Sequence, residues 1–439
     1  MTPFFINSNI CVSKADVTDL STFMNCVCWN TGNSYITYSL IKTFFGKMVK
    51  INHIPNIYLY DFSKQDKDID FINTCCSHVF LILQDQIRIE EESYGYQLPY
   101  KLLENFIRKI QKPILVAGLG INCFQEIPSD FHQRLHPDLV SLLHTISDKC
   151  KIIGVRGVTT QEILEKLGIK NTQAIGCPSF YEKGANRIVS KKEYSHELNV
   201  ILSNPQRYEL ASRYPIILQA ERHLIEAAAF EKRQYNDLTD DEFYLIQRKK
   251  YYVFSSIEDW KNFVSSFDFL IGHRLHGCIL GINSGVPSLC MNSDARAKEM
   301  TSLLKIPYYP EYTNCLNIEE IYARCDYSEM NKIYPKLYND FIGFLKTNSF
   351  EPYLSSLEYT EQPSLPLYTC LEENNQANLL YHLKKIENLA LVGKKKGCAF
   401  VKIYLKYCFY RLLSHLFFGA RKEQYRKVKT SLKQILERK

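Results

Sequence analysis

The sequence predicts an α/β protein built as two halves, each a parallel sheet covered by helices, followed by a basic helical extension. Three observations carry this. Apolar runs of strand length alternate with helical patterns through roughly the first 340 residues, the signature of parallel sheets wrapped by helices. At 439 residues the chain is too long for one ordinary core, so two domains and an appendage follow. Beyond about residue 345 the strand pattern stops, and the final stretch is dense in lysine and arginine.

The elements run in order. KPILVAGLG (112–120), CKIIGVRG (150–157), LNVILSNP (198–205), DFLIGHRLHG (268–277) and VPSLCMNSD (286–294) each read as a strand followed by a loop. Helices lie between them. The best marked is TTQEILEKLG, where Thr159 and Glu162 have capping-box spacing and Gly168 stands at the C-terminal cap position. The polar stretch YEKGANRIVSKKEYSHE (181–197) divides the halves. The expected domains are 1–185, 196–345 and a connector with a basic amphipathic tail over 346–439.

Composition narrows the class. Hydrophobic residues make up 46% and charged residues 23%, close to a globular average. The N-terminus lacks a basic start, an apolar core and a small-residue cleavage site, so no secretory signal is expected. No run of eighteen uncharged apolar residues occurs, so no transmembrane helix is expected either. Fifteen cysteines are scattered without a CxxC and read as free thiols of a reducing cytosol. Net charge is +7, but fourteen Lys/Arg against two Glu from Lys394 onward give the tail +12 and leave −5 for the body. A nucleic-acid enzyme would spread basic residues over its cleft, so nucleic acid is not an expected partner.

The chemistry concentrates at strand ends. In DFLIGHRLHGCILGINSGVPSLCMN, residues 268–292, an apolar strand runs straight into Arg274 and His276. Arg156 holds the equivalent place after CKIIGV and before a helix. Open α/β sheets bind ligands beyond the carboxyl ends of their strands, where helix N-termini offer N–H donors. An arginine from each half suits an anion, and histidine exchanges protons near neutral pH. His273 falls on the opposite face of the strand and reads as structural.

The segments GHRLHGCILGINSGVPSL, GVRGVTTQEILEKLG, AIGCPSF, KPILVAGLGIN and NTGNSYITYSLI resemble, in order, the polysaccharide pyruvyl transferase family over about residues 25–310. The resemblance implies a GT-B-like fold, two Rossmann-like domains facing across a cleft. It implies transfer of a pyruvyl group from phosphoenolpyruvate to sugar hydroxyls, giving a ketal on a bacterial cell-surface polysaccharide precursor such as a capsule or exopolysaccharide unit. It assigns Arg274 and His276 as anion binder and acid/base, and Arg156 as second anion binder. Asn30, Gly32 and Asn33 fall on a first strand-to-helix loop, and Gly118 and Gly120 on a glycine turn; an ordinary turn is the alternative for both groups. Neither a cofactor nor a metal is implied, phosphoenolpyruvate being a substrate.

Two departures stand out. Gly157 follows Arg156 where the family often has Asp, and VFLILQDQIR supplies Gln84 and Asp85 where a glycine pair is usual. The rival readings are a sugar-nucleotide-dependent glycosyltransferase, with Asp294 or Glu299 on the ribose, and a non-catalytic scaffold binding anionic glycans. The tail segment 400–419 carries Lys402/Lys406 and Arg411/His415 around an aromatic-rich stretch, and 421–439 aligns Tyr425, Val428, Leu432, Ile435 and Leu436 on one stripe. Both fit an anionic membrane surface on the cytoplasmic face, next to lipid-linked acceptors; a coiled-coil or protein-docking helix is the alternative for the final stretch.

Overall fold

The computed structural model describes residues 2–11, 17, 19–49, 51–89, 99–123, 126–195, 197–204, 208–230, 238–292, 294–309 and 317–350. Among them, eleven strands form two wholly parallel sheets. The first holds β1 (Thr2–Ile6), β2 (Asn52–Ile54), β3 (Cys76–Leu81), β4 (Ile114–Leu119), β5 (Ile153–Val155) and β6 (Thr172–Ala174) in the order β2-β1-β3-β4-β5-β6. The second holds β7 (Val200–Ser203), β8 (Ile216–Leu218), β9 (Tyr251–Val253), β10 (Phe269–Gly272) and β11 (Ser288–Cys290) in the order β11-β10-β7-β8-β9. The expected α/β class with two Rossmann-like parallel sheets is what the chain forms.

Each sheet winds in two directions from a switch point, between β1 and β3 in the first and between β7 and β10 in the second. Ligands of such sheets sit beyond the strand ends at that point. Parallel strands are covered on both faces, which is why they read as unbroken apolar runs. All of β4, β7 and β10 is buried. Registers pair Phe5 with Phe80 and Ile6 with Leu81 across β1 and β3, and Leu270 with Ile201 and Gly272 with Ser203 across β10 and β7. Between β4 and β5 the register shifts at Gly118, whose φ of +82° is a left-handed bulge conformation that glycine adopts without strain.

Helix boundaries follow local chemistry in most places. The helix Thr31–Phe45 starts on Asn30, whose side chain accepts from the Gly32 amide at 2.8 Å, and stops at Gly46 with φ +67°. Gly168 ends its helix at φ +84°, as expected. The Thr159/Glu162 capping box does not form. The helix runs Val158–Lys166 with Gly157 at its N-cap, and its cap comes from far along the chain: Glu299 accepts from the Thr160 amide at 2.6 Å and from its hydroxyl at 2.9 Å. Glu299 fills the space a Cβ at Gly157 would need. The acid expected after Arg156 is thus replaced in space by one from another element.

The described residues of Met1–Ile225 and Lys250–Thr369 form one compact unit containing both sheets, and those of Glu226–Lys249 belong to a second. The helix Ser328–Thr347, after the last strand, returns to the first sheet. Phe344 packs so closely on Gly154 that a Cβ there would lie 2.7 Å from its ring, and Asn348 accepts from the Ile152 amide at 3.1 Å. The basic stretches 400–419 and 421–439 lie outside the described residues. Among those described, no helix is long and apolar enough to cross a membrane.

Candidate active site

Arg156 begins where β5 ends. Its amide donates to the Leu119 carbonyl at 2.8 Å, and its side chain crosses the Cα of Gly120 so closely that a Cβ there would stand 2.6 Å from Arg156 Cδ. Gly120 is therefore required for the arginine's path. Only 5% of Arg156 is exposed, and its Nε has no hydrogen-bond partner among the described residues. Burial lowers its pKa, with nearby Arg296 adding to the effect and Cys177, Asp85 and Glu299 opposing it. Guanidinium remains charged at any working pH. A buried charge with an unused donor is costly unless something occupies it.

Arg274 caps the helix Leu275–Asn283 at the end of β10, beside the second switch point. Its environment differs. The side chain is 37% exposed and Nη2 donates to Glu221 Oε1 at 2.8 Å. The same oxygen accepts from Asn204 Nδ2 at 2.6 Å, while Glu221 Oε2 accepts from the amides of Gln219 and Ala220, both at 3.1 Å. Glu221 is thus held by the ends of two neighbouring strands, ready for the arginine.

His276 is the second residue of that helix, partly buried, against the Cα of Gly32. A Cβ at residue 32 would meet His276 Nδ1 at 2.8 Å, so Gly32 matters as space for the imidazole. Its Nε2 is 3.5 Å from Cys177 Sγ. Burial, reinforced by Arg156 and Arg296, pulls the pKa of His276 down to about 3. The ring is neutral near pH 7, the form that accepts a proton. Cys177 is buried, with Ser179 Oγ 3.0 Å from its sulfur, and burial holds its thiol protonated.

The structure brings Arg156, His276 and Gly32 into one neighbourhood, with Arg274 at the next position on the second sheet's edge. Asn30 and Asn33 are spent on the turn: Asn30 caps the Gly32 amide, and Asn33 Nδ2 donates to the Cys28 carbonyl at 3.0 Å. Gly118 faces the GCPS segment, with Pro178 Cδ 3.1 Å from its Cβ position. His273 is buried, its amide donating to the Ser203 carbonyl at 3.0 Å. Helix Thr31–Phe45 is fixed against the second half by a buried polar chain. Its Thr31 amide donates to the Gln219 carbonyl at 3.0 Å, Tyr35 donates to Glu182 Oε2 at 2.5 Å, and Asn283 Nδ2 donates to the Tyr35 hydroxyl at 2.7 Å. Lys261 pairs with the other oxygen of Glu182.

Sequence reasoning missed Glu221, Cys177 and Arg296. Arg296 Nη2 donates to Asp294 Oδ2 at 2.9 Å and Nη1 lies 3.7 Å from Asp85, which places a third guanidinium beside the same neighbourhood. Asp294 also caps its own helix, accepting from the Ala297 amide at 2.7 Å. Asp294 and Glu299, the carboxylates that a ribose would need, are both engaged within the protein.

A family model described as polysaccharide pyruvyl transferase matches residues 30–295. No curated protein matches the chain. Among solved structures, the chain is similar to the UDP co-structure of MnaA from S. aureus, at 10% identity and a TM-score of 0.36, covering 80% of this chain and 99% of that one. It is also similar to the glycosyltransferase SnogD from Streptomyces nogalater, at 9% identity and a TM-score of 0.31, covering 80% and 98%. A third is a UDP-N-acetylglucosamine 2-epimerase from Rickettsia bellii, at 8% identity and a TM-score of 0.31, covering 79% and 98%.

Proposed function

This chain belongs to the polysaccharide pyruvyl transferase family, whose model spans more than half of it, and from that premise we propose that it transfers pyruvate from phosphoenolpyruvate to two hydroxyls of a sugar in a cell-surface polysaccharide precursor, releasing phosphate. The observation that carries the reading is Arg156, a buried guanidinium with an unpartnered Nε beside a neutral histidine. A small anion with carboxylate and phosphate ends would bind Arg156 with one end and draw Arg274 from Glu221 with the other.

The chemistry then follows. A proton adds to the methylene carbon of the enol and positive charge develops at the neighbouring carbon. One sugar hydroxyl attacks that carbon, the bond to the phosphate oxygen breaks, and the second hydroxyl closes the ketal. Two hydroxyl protons are released for the one taken up, so the second leaves with phosphate. Neutral His276 is the base for a hydroxyl proton. Bound phosphate and carboxylate offset Arg156 and Arg296, raise the histidine's basicity, and leave it able to return the proton.

The rival sugar-nucleotide reading is disfavoured because Asp294 and Glu299 are already engaged. The test is phosphate release from phosphoenolpyruvate against a panel of sugar acceptors, with products weighed by mass spectrometry. Acceptor-dependent release with a pyruvyl adduct is expected; hexosyl transfer from a sugar nucleotide without any pyruvyl product would contradict it.

We further propose that the basic tail holds the enzyme on the anionic cytoplasmic face of a membrane, near lipid-linked acceptors. The excess of fourteen Lys/Arg over two Glu motivates this, each basic residue near the lipid contributing about 1 kcal/mol. Truncation after about Leu391 is expected to abolish salt-sensitive sedimentation with anionic liposomes and to spare activity on a soluble acceptor. Unchanged sedimentation would refute the anchor.

A further inference from the structure

Three consecutive strands of the first sheet, β3, β4 and β5, each end one to three residues before a buried polar side chain with an unused atom. Gln84 follows β3 and is 7% exposed, Asn122 follows β4 and is 4% exposed, and Arg156 follows β5 and is 5% exposed. Gln84 Oε1, Asn122 Oδ1 and Arg156 Nε all lack a hydrogen-bond partner among the described residues. The three loops are neighbours in space as well as in sheet order. The Gln84 carbonyl lies 2.9 Å from the Cβ position of Gly120, over which Arg156 passes. The segment after Gln84 runs beside Gly120–Asn122, Ile87 donating its amide to the Gly120 carbonyl at 3.2 Å and accepting from Asn122 at 2.8 Å. Gln84 also stands at the first sheet's switch point, next to β1.

Native proteins leave few buried polar atoms unpaired, because each forfeits its hydrogen bond to water without replacement. Three on adjacent strand ends point to a ligand that completes them rather than to a packing accident. Their chemistry differs by atom. Arg156 offers a donor and a charge, which suits the anion. The two amide oxygens accept only, so they repel an anion and require O–H or N–H groups.

We propose that Gln84 and Asn122 form the acceptor subsite, each amide oxygen taking the hydrogen of one sugar hydroxyl beside the anion on Arg156. This rests on the donor reading above and names the part of the site that reads the sugar. Ketal closure consumes two hydroxyls on one carbon, and two fixed acceptors turn two hydroxyl oxygens toward that carbon. The amides orient and move no proton; that remains with His276. Gln84, which replaces the glycine usual in the family, is on this account a specificity element.

The test uses the full-length protein and a panel of methyl hexopyranosides with gluco, galacto, manno and N-acetylated configurations. Glycoside binding is followed by ligand-observed NMR with phosphoenolpyruvate present, and phosphoenolpyruvate binding by calorimetry. At least one glycoside is expected to bind the wild type. Gln84→Met and Asn122→Leu are each expected to weaken it about tenfold, as loss of one buried hydrogen bond does, and the double variant to abolish it, with phosphoenolpyruvate affinity within about twofold of wild type. Should the apolar variants fail to fold, Gln84→Glu with Asn122→Asp keeps the shape and the acceptors. It is expected to retain glycoside binding and to weaken phosphoenolpyruvate by repulsion. Wild-type glycoside affinity in the double apolar variant would overturn the subsite, those atoms then being met by water. So would a wild type that binds phosphoenolpyruvate and no glycoside, or a charged variant that loses glycoside and keeps phosphoenolpyruvate. Amide-dependent glycoside binding without any phosphoenolpyruvate binding would support the subsite and overturn the donor reading instead.

Discussion

Arg156 and Arg274 occupy equivalent places, each at the carboxyl end of a parallel strand and the start of a helix, yet their surroundings are opposite. Arg156 is buried with an unpartnered Nε. Arg274 is 37% exposed and already paired with Glu221 at 2.8 Å. The first can only gain from a bound anion, whereas the second must exchange one carboxylate for another. Equivalent topology therefore does not mean equivalent contribution: on the proposed function, the first sheet's edge would supply donor affinity and the second would supply chemistry through His276.

The largest effect expected from this division is on rate. His276→Ala should lower kcat by about 10²–10⁴-fold, the usual contribution of a positioned acid/base group, while phosphoenolpyruvate affinity stays within about threefold. Comparable losses in both would merge the two roles that the division separates. Next comes Arg156→Met, expected to weaken phosphoenolpyruvate by roughly 10²–10³-fold, since truncating one side of a buried charged hydrogen bond costs about 2–5 kcal/mol. Arg274→Ala should cost only about tenfold, because the side chain is partly solvated and its release strands no buried partner. Smallest is Glu221→Gln. It relieves the competition for Arg274 and should tighten phosphoenolpyruvate about two- to threefold; weaker binding would mean that Glu221 orients the arginine rather than competing for it.

His276 sharpens the comparison through pH. Its pKa falls from 6.5 in the unfolded chain to about 3 in the fold. The unfolded state therefore takes a proton through that interval while the native state does not. Stability is full above about pH 6.5 and declines as pH falls toward 3. His276→Gln should flatten that part of the stability profile measured by thermal melts. An unchanged slope would mean that the imidazole is solvated.

The fold was legible where sheets are covered on both faces. Runs such as ILVAGL and FLIG are apolar because every residue is buried. Other strands escaped notice. Thr2–Ile6, which pairs between β2 and β3, sits at the very start of the chain, and Ile216–Leu218 spans only three residues. Arg156, Arg274 and His276 were visible through their placement after strand-like runs and their motif. Their partners were not, because spacing reports only local neighbours. Glu221 lies 53 residues from Arg274, Cys177 lies 99 from His276, and Glu299 lies 139 from Thr160. Parallel sheets create such contacts by gathering distant loops at one edge. Gln84 was visible as a departure from the pattern the resemblance implies, and only its burial gives that departure a meaning.

One paired measurement reaches the central claim, that Arg156 is kept buried and unsatisfied for the donor anion. Phosphoenolpyruvate is titrated calorimetrically into wild type and Arg156→Met, and thermal unfolding of both is recorded without ligand. Binding should fall at least 100-fold on the scale argued above, and the variant should melt at or above the wild-type temperature, since an apolar side chain replaces a buried charge that nearby Asp85 and Glu299 offset only in part. Retained binding, or a loss of binding accompanied by a lower melting temperature, would contradict the account and make Arg156 a structural residue.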